Sequence, residues 1–179
     1  MSRTAHFTLL ARYNEWMNNK LYAAAAALPP AELAAPRGAF FGSLQATLNH
    51  IAVGDTIWLK RIAAHPQFAA VLAPLAALPV PAALDQPLCD SFAALRAHRA
   101  WLDQLLLQWV DSLAEADLDA VISYRRLNGE ANHRQLGLLL LHVFNHQTHH
   151  RGQATTLLSQ AGVDVGATDL LLLVPDAEV

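Results

Sequence analysis

The amino-acid sequence predicts an all-α protein: a four-helix bundle with a long crossover between its second and third helices, folded as a single domain over residues 1–179. Three observations carry this expectation. The 54% hydrophobic share is dominated by alanine and leucine, strong helix formers, whereas valine, isoleucine and tyrosine are sparse. Four segments repeat apolar residues at helical spacing. Between the second and third of them, residues 66–88 hold Pro66, Pro74, Pro79, Pro81 and Pro87 among alanines and leucines. That stretch is too rich in proline for a long helix and too apolar for a disordered tail, which leaves a crossover packed on the body.

The first helix is expected over residues 4–28, where Phe7, Leu10, Ala11, Met17, Leu21 and Tyr22 fall near helical spacing before Pro29 and Pro30 stop the pattern. Gly42 and Ser43 offer an N-cap to a second helix, patterned by Leu44, Leu48, Ile51, Ile57, Trp58 and Ile62 and ended by Pro66. Asp90 and Ser91 cap a third, in which Phe92, Leu95, Trp101, Leu102, Leu105, Leu106 and Trp109 are expected to bury one side until the pattern fades near Leu113. Residues 121–127 read as briefly extended and Asn128-Gly129 as a tight turn, so a small hairpin is expected. Asn132 is read as the cap of a fourth helix that runs to about Gln160, with Gly162 where a C-terminal cap belongs.

A net charge of -3, with 12 Lys+Arg scattered along the chain, supplies no basic stripe able to displace counterions from a phosphate backbone, so nucleic acid is not expected as a partner. Cys89 is the single cysteine. No internal disulfide can form, which fits a reducing compartment, and a cytoplasmic location is expected. The N-terminal segment lacks the apolar core of a signal peptide. The longest aliphatic run, residues 138–141, falls far short of the ~20 residues needed to cross a bilayer, so no membrane partner is expected either.

Chemistry concentrates at His146, His149 and His150. Residues four apart stack on one helical face, so two of these imidazoles can aim at a common point, and neutral imidazole is the commonest protein ligand for zinc, nickel, copper and iron. His142, His146 and His150 share a face, but positions eight apart are separated by ~12 Å of rise, too far to share one ion. The pairs His142/His146, His146/His150 and, less well, His146/His149 therefore remain open. A third ligand must come from another helix, and His50, in the otherwise apolar Leu48-Asn49-His50-Ile51, is the natural one. His6, His65 and His98 read as surface residues. No His-Glu-x-x-His, Gly-x-Ser-x-Gly or phosphate-binding glycine loop competes with this cluster, and Glu130-Ala131-Asn132-His133 is a solitary Glu-x-x-His where a di-iron bundle needs two.

Three segments resemble, in order and in separation, those of the DinB family of metal-binding four-helix proteins, a group that extends to YfiT-like proteins and thiol-dependent isomerases. They are Tyr13-Asn14-Glu15-Trp16-Met17-Asn18, then Gly42-Ser43-Leu44 with Leu48-Asn49-His50-Ile51, and Asn145-His146-Gln147-Thr148-His149-His150-Arg151-Gly152-Gln153. The resemblance implies one ligand from the second helix and two, four apart, from the last, hence His50, His146 and His150. It leaves His142 and His149 as residues around the ion or the pocket, and implies a homodimer; Asn145 and Arg151 are further candidates to surround the ion or bind substrate.

Three functions follow as expectations. The first is a metal-dependent transferase or isomerase acting on a small molecule, with zinc or nickel as the divalent ion and a low-molecular-weight thiol as co-substrate. The second is a metal-dependent hydrolase in which His149 or Asp55 moves protons. The third is a non-enzymatic, stress-related metal-binding protein whose ion mainly ties two helices together.

Overall fold

The computed structural model describes residues 2–126 and 128–177. Four long helices form the bundle, α1 (Arg3–Ala26), α3 (Leu44–Ala63), α5 (Phe92–Asp111) and α6 (Leu136–Gln160), with two short helices, α2 (Pro30–Ala34) and α4 (Pro66–Ala69), between them. A two-stranded hairpin, β1 (Val121–Arg125) and β2 (Ala131–Gln135), precedes α6.

Serines start three of the long helices by accepting a backbone N–H three residues on: Ser2 from Ala5 at 3.1 Å, and Ser43 from Ala46 and Ser91 from Ala94 at 3.2 Å each. Pro30 and Pro66 do more than end a helix. Each occupies the first position of the next short one, where its missing N–H costs nothing.

The expected start of the last helix is corrected. Asn132 lies in β2 opposite Tyr124, and α6 begins at Leu136 after Gln135, which makes no side-chain cap. Pairing of residues 131–135 with β1 supplies backbone partners that a cap at Asn132 would forfeit. The turn is as expected at Gly129, whose φ of +85° suits only glycine at low cost; Leu127, assigned to the extended stretch, lies outside the described residues.

α1 packs against α5 and α6, while α3 packs against α6 and α5. Leu21, Leu48, Leu102, Trp109, Leu140 and Leu158 are fully buried between them. Trp101 departs from its expected burial: it is 36% exposed, and its ring lies 5.6 Å from that of His98 on the outer side of α5. The crossover packs on the body as expected, burying Phe68, Leu72 and Leu75.

Inside the bundle lies a polar network that ties all four long helices together. Arg99 of α5 reaches Asp55 of α3 at 2.5 Å and Asp103 of its own helix at 2.9 Å. Asn14 and Asn18 of α1 donate to Asp103 Oδ1 at 3.1 and 2.9 Å, and Gln147 of α6 donates to Asp55. Arg151 donates to Asn14 Oδ1 and to Gln147 Oε1. Two guanidinium groups and two carboxylates balance, as buried charge requires.

Candidate metal centre

The facing sides of α3 and α6 bring His50, His146 and His150 together. One ring nitrogen from each lies within 4.8 Å of the others, and His50 Nε2 stands 3.1 Å from His146 Nε2. Nitrogens bound tetrahedrally to one zinc ion at about 2.1 Å are separated by roughly 3.4 Å, so the cluster is close to the spacing one ion requires. The backbone carbonyl of Leu84, in the crossover, accepts from His50 Nδ1 at 2.8 Å. Gln153 Oε1 accepts from His150 Nδ1 at the same distance. Each bond places the ring proton on Nδ1 and frees the Nε2 lone pair, as a neutral ligand demands.

Three local features hold these rings. Phe41 stacks on His50 with centroids 3.8 Å apart and meets the His150 ring edge-on at 5.6 Å. Asn49 secures the crossover next to Leu84, donating to Gln86 O at 2.9 Å and accepting from Leu88 N at 3.0 Å. Gly54, one turn beyond His50, leaves room for the third ring: a Cβ there would lie 2.8 Å from His146 Cε1. Gly54→Ala is therefore expected to turn the His146 ring away and weaken metal binding about 10-fold or more. The helix itself gains up to ~1 kcal/mol in propensity. Isothermal titration with zinc beside thermal denaturation checks the pair of effects, and an unchanged affinity would show that the ring adapts in place.

Electrostatics favour the neutral, ligating form. Burial pushes the His146 imidazole down to about 3, helped by the neighbouring His150 and His50. Burial likewise lowers His50, against the bond to Leu84, and His150, against the bond to Gln153.

A cleft of about 500 Å³ opens over the cluster, walled by Phe40, Phe41, Ile57, Trp58 and Leu84. His142 lines it, its ring 5.0 Å from Trp58 and 6.0 Å from His146. His149 stands at its edge, linked to His150 through Gln153, whose Nε2 donates to His149 Nε2 at 3.2 Å. The other residues singled out from the sequence are placed elsewhere. Asp55 and Arg151 are held in the buried network, away from the cleft lining, and Asn145 is exposed outside it. The Asp55 carboxylate is engaged by Arg99 and Gln147. Sequence reasoning did not find Phe41, Leu84, Gly54 or Gln153; only Gln153, three residues past His150 on the same face, left a signal.

The sequence profile of the DinB family matches residues 1–177. This chain belongs to the DinB family. A relative within reach of direct alignment is the uncharacterized protein YrdA of Bacillus subtilis (strain 168), 34% identical over 93 residues, which cover 52% of this chain. The matched stretch spans 48% of YrdA, about half the length of that relative. No solved structure matches the chain. DinB membership and the three-histidine cluster are together compatible with binding of a divalent metal. Among the described residues, no helix of this DinB chain is long and apolar enough to cross a membrane.

Proposed function

We propose that this DinB protein, acting as one domain, holds a single divalent ion, zinc or nickel, through His50, His146 and His150, and that it is an enzyme of the thiol-dependent transferase or isomerase type acting on a small molecule in the cleft. The observation that carries this reading is the convergence of three imidazole nitrogens at the floor of an apolar cleft, with two of the rings fixed through their Nδ1 atoms. Three protein ligands leave a position open, the arrangement of catalytic rather than structural zinc sites. When bound, the ion supplies Lewis acidity that lowers the pKa of a sulfhydryl group.

The chain's own residues do the rest. Phe41 and Trp58 exclude water and present flat apolar faces to a substrate. His149, exposed at the edge of the cleft, takes or returns a proton between solvent and ligand in this reading. Gln153 holds His149 and His150 in fixed orientations.

Metal analysis of protein made without a histidine tag tests the ligand set. One equivalent is expected in the wild type and well under one in His50→Ala and His150→Ala. Full loading of both variants would eliminate it. Thiol dependence is read from the visible spectrum of the cobalt form, which is expected to gain a sulfur-to-cobalt band on addition of small thiols; an unaltered spectrum would point to hydrolysis or to a purely stabilising ion.

A further inference from the structure

Arg61, in the last turn of α3, takes no part in the histidine cluster but lines the same cleft. Its guanidinium sits in the corner of two rings that pack edge to face on each other, with centroids 5.2 Å apart, and it lies 4.7 Å from the centroid of Trp58 and 4.8 Å from that of Tyr124 on β1. Cation–π contact with both rings restrains the head group and leaves its N–H groups to find acceptors. Among the described residues no carboxylate pairs with it, and the nearby cation is another arginine, Arg126. Partial burial draws its pKa down, and Tyr124 offsets that only in part.

A second hollow, of about 280 Å³, adjoins the cleft and is lined by Tyr124, Arg126, Arg134 and Leu138. Trp58, Arg61 and His142 line both hollows. The two form one surface, with the histidine cluster at one end and three arginines at the other. Glu130 answers only Arg126, at 3.1 Å, and Arg134 donates to the backbone carbonyl of His133. In a chain with a net charge of -3, three gathered guanidinium groups with one carboxylate between them make a local field for an anion.

We propose that the arginine end of the cleft, with Arg61 as its fixed anchor and Arg134 beside it, binds the carboxylate or phosphate of a small organic anion whose apolar body lies along Trp58 toward the histidines. The inference rests on reading the cleft as a substrate site, and it names the substrate class: an anionic molecule with an apolar or aromatic middle. The planar fork of a guanidinium suits a two-oxygen anion.

Calorimetric titration tests it with three probes: isophthalate, phenyl phosphate, and the neutral isophthalamide. Each is run on zinc-loaded and on metal-free protein, so that attraction to the ion is separated from attraction to arginine. In metal-free wild type at least one anion is expected to bind roughly 10-fold or more tightly than the diamide, and to weaken as salt is raised. The better anion identifies the head group. Arg61→Met, which keeps the apolar stem, is expected to remove the preference while leaving the weak affinity for the diamide unchanged. Arg134→Met is expected to reduce it, and serves if the first variant folds poorly. Equal affinity for anions and diamide in the metal-free wild type, or a full preference surviving in Arg61→Met, overturns the inference. Failure of the wild type to take up zinc counts instead against the metal centre and leaves this measurement intact.

Discussion

Arg99→Met is expected to destabilise the protein by about 3–5 kcal/mol, the loss typical of removing one partner from a buried ion pair. Arg99 is 1% exposed and stands between Asp55 and Asp103, themselves 1% and 3% exposed. Burial pushes both carboxyls up, and the guanidinium between them is what pulls them back toward the ionised form. Methionine fills similar volume but leaves two buried carboxyls facing each other with amide donors alone, so they must be protonated or drag water into the bundle. For a chain of this size the thermal midpoint is expected to fall by roughly 10 °C or more. Urea denaturation measures the loss, and a change below about 1 kcal/mol would mean that the network is held by the asparagines and Gln147 rather than by charge. A second effect accompanies the first. Gln147 and Arg151 each adjoin a proposed ligand in sequence, so loosening the network is expected to weaken zinc binding as well.

Acidification is expected to destabilise the metal-free protein in a window set by His146. Its folded pKa, pushed down to about 3, lies below the ordinary imidazole value near 6.5 that it regains on unfolding. The unfolded chain therefore takes up a proton that the folded chain refuses. The stabilisation is complete above pH ~6.5 and is lost progressively as the pH falls toward 3. Between pH 7 and 5 this amounts to about 1–2 kcal/mol for His146 alone. His50 and His150, also lowered, add to it in the same direction. The neighbouring His142 and His149 lower His146 in the same sense. Comparing wild type with His146→Gln isolates the contribution, since the buried carboxylates titrate in both. Parallel stability curves for the two proteins between pH 7 and 5 would show that this imidazole titrates normally in the fold.

The bundle was legible because its punctuation is local. Proline and serine mark where α1, α3 and α5 begin or end, and those signals act within one turn of helix. The start of α6 was misread because strand pairing, a contact made with Tyr124 across the hairpin and beyond the reach of one helical turn, took Asn132 from the helix. The site was legible in its chemistry and not in its register. Spacing alone left three histidine pairs open, and resemblance selected one. In the structure His146 and His150 stand with ring centroids 4.5 Å apart, against 6.0 Å for His142 and His146.

What escaped the sequence depends on tertiary neighbours. Nothing near Arg61 in sequence announces Tyr124 over its guanidinium. Leu84 contributes a backbone atom, which carries no residue signature. The buried network did leave a trace: Asn14 and Asn18, Arg99 and Asp103, and Gln147 and Arg151 are polar pairs four apart on helices that are otherwise apolar at those faces.

The carbonyl of Leu84 gives the crossover a role beyond linking two helices. Because this strap, pinned by Asn49, supplies the acceptor that orients His50, cutting the chain between residues 79 and 86 would detune the ligand cluster while every histidine stayed in place. The part of the molecule with the least regular structure thus steers one of its most exacting atoms.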